Sequence, residues 1–170
     1  MSENKNNSVE PWLRGTFVEV SSVGRAVLHA LELAKEDLWK WCYRLRDDQL
    51  NHRTGDVAPV AFHLRHIARS LDRLLTYAEG GTLSEEQLSQ LRSELEAGAK
   101  HDEVFAELES ALVRSAHRVW QLASENLETP RRVGKKQLPT TVGGLLVHVA
   151  DHTQRHVGQA IVTAKLVAKR

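Results

Sequence analysis

An all-α four-helix bundle is the fold this sequence predicts, and three observations carry it. Four long segments repeat apolar residues at intervals of three and four, the period of a helix with one buried face. No stretch alternates apolar and polar residues with period two, so no strand is expected. The second and third segments are separated by a link from Thr82 to Lys100, long enough for the crossover connection of a bundle. At 170 residues the chain fits one domain with a sizeable core, and it contains no internal repeat. Residues 1–20 are expected to form a flexible N-terminal segment, and residues 21–170 the bundle.

The first helix is expected from about Ser21 to Arg46, with Ser21 or Ser22 as its N-cap. Val27, Leu31, Ala34, Leu38, Trp41 and Leu45 form its inward stripe, and core packing is the expectation for Trp41. Trp39 leans to the opposite face, so one of the two tryptophans should be exposed or at an interface. Asp47 to Gly55 reads as a polar connection. The second helix begins near Pro59, a residue suited to a first helical turn, and ends at Gly80-Gly81. Leu64, Ile67, Leu71, Leu74 and Ala78 are its buried positions.

Within the link, Ser84 followed three residues later by Gln87 is a capping-box pattern and predicts a short charged helix. The third long helix spans about Asp102 to Asn126, with Phe105, Leu108, Leu112, Val119 and Leu122 inward. Pro130 to Pro139, with Lys135 and Lys136, reads as a basic loop. Thr140 or Thr141 then caps the fourth helix, which runs to the C-terminus.

Composition excludes several classes of function. With 23 basic and 22 acidic residues, the net charge is +1, so no global field argues for nucleic acid. The Arg131-Arg132-Val-Gly-Lys135-Lys136 stretch is read as a solvated turn, which sets aside a DNA-binding role. No apolar run approaches the ~20 residues needed to cross a bilayer, and no membrane partner is expected. The N-terminus, Met1 to Glu10, is polar and lacks the apolar core of a signal peptide. The single cysteine, Cys42, excludes an intramolecular disulfide and suits a small core residue in a reducing, cytoplasmic compartment.

Nine histidines are present, and five fall in two short segments: His63-Leu-Arg-His66, and His148-Val-Ala-Asp-His152-Thr-Gln-Arg-His156. Residues four apart are neighbours on a helix, so His152 and His156 can converge on one metal ion. His148 and His156 are separated by about 12 Å of axial rise and cannot both join it easily. A third ligand must come from elsewhere, and His63 and His66 are the candidates. Periodicity favours His63 as the inward residue with His66 at the flank, and it does not choose the ligand. His152 and His156 stand on the stripe Leu145, Val149, Ala160, Thr163, where a plain bundle would place leucines. Gln159 one turn further favours a polar cavity. Buried neutral imidazoles need partners or cost about 1–3 kcal/mol each, and a metal ion resolves that cost. His29, His52, His101 and His117 fall on helix flanks or loops and are expected at the surface.

Phe62-His-Leu-Arg-His66-Ile-Ala-Arg-Ser-Leu-Asp72, followed late in the chain by Thr141-Val-Gly-Gly-Leu-Leu-Val-His148-Val-Ala-Asp-His152-Thr-Gln-Arg-His156-Val-Gly-Gln159, resembles the DinB/YfiT-like family, regarded as metalloenzymes. The resemblance covers roughly Val23 to Leu166. It implies a bundle of up-down-down-up type and the metal ligands His66, His152 and His156. Thr153 and Val157 stand where the family often has an acidic residue and an arginine, while Gly158 and Gln159 match. Thr153 also argues against a zincin, which needs glutamate at that position.

His148 and His63 lie within about one turn of these ligands and are the expected catalytic residues, as proton carriers, supporting donors or alternative ligands. Asp151 and Asp72 are candidates to orient a ligand imidazole, with ordinary solvated carboxylates the favoured reading. Three neutral imidazoles leave coordination positions open, as a catalytic site requires, and they suit zinc, nickel or iron. The resemblance implies a metal-dependent enzyme that activates a thiolate or water: a thiol-dependent S-transferase or a hydrolase. Its expected partners are a small-molecule substrate, with a low-molecular-weight thiol as cosubstrate, and a second copy in a homodimer. A non-catalytic metal- or small-molecule-binding stress-response bundle is the alternative.

Overall fold

A computed structural model describes residues 9–169. Six α-helices and one β-hairpin are found among the described residues: α1 (Ser22–Cys42), α2 (Asp47–Leu50), α3 (Val60–Ala78), α4 (Glu85–Arg92), α5 (His101–Leu122), β1 (Pro130–Val133), β2 (Leu138–Thr141) and α6 (Val142–Val167). Four of them, α1, α3, α5 and α6, are the expected long helices, and the protein is mainly helical.

The boundaries follow from local chemistry. The Ser21 hydroxyl accepts from Gly24 N at the start of α1, and Thr141 Oγ1 accepts from Gly144 N at the start of α6. Both hydrogen bonds of the Ser84–Gln87 capping box are made, so α4 forms as expected. Helix α3 ends where Gly80 takes a φ of +83°, a left-handed conformation that lets Gly81 N reach Thr76 O. The Asp47–Gly55 connection contains α2, a single turn that the polar composition concealed.

The expected basic loop is an antiparallel hairpin, pairing Pro130 with Thr141 and Val133 with Leu138. Its residues are half-buried or exposed throughout, so neither face needed the apolar alternation by which strands are recognised. It turns at Gly134, φ +70°, and Gln137.

Contacts run most extensively between α1 and α6, α3 and α6, and α3 and α5; α1 and α5 meet less closely. The sense of each pair is visible in its contacts. Arg69 binds Glu107 and Arg118 binds Asp72 and Glu79, so α3 and α5 run in the same direction. Lys35 meets Glu109 while Trp39 packs against Phe105, so α1 and α5 are opposed. Gln154 donates to Ala30 O near the middle of α6, and Lys165 near its end covers Trp41 near the end of α1.

The inward stripes of α1, α3 and α5 are buried as expected, except that Leu74 is half-buried and Trp41 is 38% exposed. Trp41 stands outside the core beneath the Lys165 ammonium at 4.1 Å, while Trp39 packs edge-on to Phe105. The two tryptophans thus exchange the places expected of them. Cys42 is a buried core residue, and burial pushes its thiol up to about 12.

Residues 9–20, within the stretch expected to be flexible, lie against α1; residues 1–8 of that stretch are outside the described residues. Arg14 grips Glu36 through its two terminal guanidinium nitrogens, at 2.6 and 2.9 Å. Thr16 hydrogen-bonds His29, which is therefore buried rather than at the surface.

Candidate metal centre

Two helices build the site. Helix α3 carries His63 and His66 one turn apart, and α6 carries His152 and His156. The helices oppose each other, so His66 meets His152 and His63 meets His156. His66 Nε2 lies 2.8 Å from His152 Nε2, and His63 Nδ1 lies 3.1 Å from His156 Nδ1. One nitrogen each from His66, His152 and His156 falls within 4.8 Å of the others, a spacing that a single ion could bridge. The Phe62 ring stacks on His66 at 5.2 Å, forming an apolar flank.

The trio lies at the edge of the core rather than at its centre. The buried stripe of α6 runs through Val149, Thr153, Val157 and Ala160, displaced from the stripe expected through the histidines. Helix α6 packs against both α1 and α3, which broadens its buried face and leaves His152 and His156 half-buried on one flank. Thr153 and Val157, the positions that depart from the family's pattern, are core residues here. Gln159 is exposed and contributes nothing to a polar cavity.

Glu94 completes the site, and nothing in the sequence singled it out. It lies just beyond α4, is buried, and places Oε2 2.7 Å from His66 Nδ1 and Oε1 2.8 Å from Arg73. Burial pushes its carboxyl up, but the hydrogen bonds from His66 and Arg73 outweigh this and hold it below its ordinary value. An ionised carboxylate only accepts, so His66 donates from Nδ1; in the neutral ring Nε2 then carries the lone pair facing His152. Glu94 is one glutamate among Glu85, Glu86 and Glu96 in a charged link, with no spacing to mark it.

Burial, followed by the field of neighbouring histidines, lowers His152 to about 4, His156 to about 3 and His63 to about 4. These rings are neutral at physiological pH, the state in which imidazole binds metal. His63 is buried beneath His156, and its Nε2 finds no partner among the described residues.

His148 stands one turn before His152, its ring centre 5.4 Å from that of His152, and is exposed to solvent. Its Nδ1 is 3.8 Å from Asp151, which is held by Arg155 at 2.6 Å. Asp72 points away from the histidines, toward Arg118 and Gln87. A pocket of about 200 Å³ opens beside the trio, lined by His66, His148 and His152 and by Leu74, Tyr77, Leu83 and Leu91. Of the outlying histidines, His117 is exposed, while His101 is tied to Tyr43 O and Asp102. His52 is half-buried.

The class so defined is a helical bundle with a three-histidine cluster between two opposed helices. The sequence matches the DinB superfamily over residues 30–160, most of its length, and the chain belongs to that superfamily. No curated protein matches it. No helix among the described residues is long and apolar enough to cross a membrane.

Proposed function

We propose that this protein is a metal-dependent enzyme whose ion is held by His66, His152 and His156, and that it acts by thiol transfer or hydrolysis. The observation carrying this reading is the convergence of three imidazoles next to an apolar pocket. The donor set fits a divalent transition ion such as zinc, nickel or iron: His152 and His156 are held neutral, and Glu94 turns the His66 lone pair inward. The senses of the helix pairs support the up-down-down-up arrangement.

When bound, a divalent ion on three neutral imidazoles supplies Lewis acidity that activates a nucleophile, hydroxide or thiolate. The surrounding residues have separable tasks. Glu94, clamped by Arg73, sets the orientation and tautomer of His66. His63 supports His156 from beneath through the paired Nδ1 atoms. His148 is exposed at the pocket mouth, where it can accept or return a proton. Leu74, Tyr77, Leu83 and Leu91 exclude water from one side of the bound substrate.

Elemental analysis of untagged protein beside a His152→Ala, His156→Ala double variant tests the reading. About one equivalent of transition metal in the parent, lost in the variant, supports it and justifies screens for thiol transfer and hydrolysis. No metal, even after loading with zinc, nickel or iron, sinks it and leaves a non-catalytic binding bundle.

A further inference from the structure

The histidine trio occupies the seam between α3 and α6. The other opposed pair, α1 and α5, packs less closely and leaves a second cleft of about 520 Å³. Its floor is apolar, made by Leu28, Leu31 and Leu112, all buried. Phe17 and Trp120, edge to face at 6.0 Å, form one wall, and Val113 stands exposed at the rim. The volume lies within the ~300–1,000 Å³ typical of small-molecule sites.

One polar atom distinguishes this cleft from a packing defect. Glu32 lines it, and its Oε2 is buried with no hydrogen-bond partner among the described residues. A buried acceptor without a donor is costly, so the atom is poised for a ligand N–H. The neighbouring basic side chains are engaged elsewhere: Lys35 with Glu109, Arg14 with Glu36, and the His29 ring with Thr16. His117 sits exposed at the edge of the cleft. Burial raises the Glu32 carboxyl, against the opposing fields of His29 and Arg14.

We propose that the α1–α5 cleft binds a small apolar amine, with its hydrocarbon body on Phe17, Leu31, Leu112 and Trp120 and its N–H group donating to Glu32 Oε2. Charge selects the occupant: an apolar acid would set a second carboxylate against Glu32, and a plain hydrocarbon would leave Oε2 unpaired. The site is independent of the histidine trio, so metal-free protein binds the same molecule.

Calorimetric titration of the full chain with 1-naphthylmethylamine, 1-naphthalenemethanol and 1-naphthylacetate tests this, because the three share one ring system and differ in the polar head. The amine is expected to bind at one equivalent, about tenfold or more tighter than the acetate. Glu32→Gln should remove most of that preference while leaving the helical circular dichroism unchanged. Ala116→Trp, which fills the cleft, should abolish binding of all three. Equal affinity for the three heads, no amine binding at millimolar concentration, or an unchanged preference in Glu32→Gln would overturn the proposal. So would a dimer in sedimentation equilibrium that Val113→Glu dissociates, since the cleft would then be an interface between two copies.

Discussion

Glu94 Oε2 lies 2.7 Å from His66 Nδ1, so a residue on the link between α4 and α5 controls how a histidine on α3 faces α6. The carboxylate is itself fixed by Arg73, about two turns further along α3. A chain of Arg73, Glu94 and His66, with Arg73 and Glu94 both buried, thereby anchors the site to α3 two turns away.

Glu94→Gln keeps the shape of the side chain but removes its charge, and the amide can offer His66 a donor instead of an acceptor. Metal affinity, measured by competition with a chromophoric chelator, should fall about 10–100-fold. Glu94→Ala should in addition destabilise metal-free protein by about 3–5 kcal/mol in urea unfolding, because the buried Arg73 loses its partner. Affinity unchanged in both variants would remove Glu94 from the site.

Metal-free protein should lose stability as pH falls from about 6.5 toward 4. His63 and His152, lowered to about 4, and His156, lowered to about 3, resist protonation when folded, while in the unfolded chain they titrate near 6.5. Between those values the unfolded state binds more protons, so acidification favours unfolding. Thermal melts in chelator across pH 7 to 4 measure this; a flatter slope is expected for His152→Asn, His156→Asn.

Leu83→Trp should fill the pocket beside His66 and His152 without touching a nitrogen proposed to bind metal. Metal stoichiometry is expected to stay at the parental value while turnover of any substrate found in the screens collapses. Loss of metal together with turnover would show that the pocket and the metal site are not separable.

The two neighbouring tryptophans should differ in their contribution to stability. Trp39→Ala removes a ring packed on Phe105 and Tyr43 and should cost about 2–3 kcal/mol. Trp41→Ala removes an exposed ring under Lys165 and should cost about 1 kcal/mol or less. Equal losses in denaturant titrations would contradict the burial difference between them.

Much of the bundle was legible because helical burial repeats every three or four residues. Val27, Leu31, Ala34 and Leu38 on α1, and Leu64, Ile67 and Leu71 on α3, read directly as core. The same logic failed on α6, where contact with two neighbours widens the buried face and periodicity placed its centre one flank away. The hairpin of β1 and β2 escaped because a surface strand pair of four residues each needs no apolar alternation.

His152 and His156 were legible as a pair because their spacing alone makes them neighbours on a helix. His63 and His66 were not separable by the same means. Pattern put His63 inward, and it is inward; yet the opposed packing of α3 on α6 aligns His66 with the pair and leaves His63 beneath it. By itself, then, the sequence determined the four long helices, most of their buried faces and the histidine pair, all properties of residues a turn apart. Only the tertiary structure decided how His66, which the family resemblance had named, meets the pair across the α3–α6 seam, that Glu94 holds it and that a second cleft opens over Glu32. Each of those depends on residues distant in sequence meeting across helix seams, and chain periodicity carries no record of such meetings.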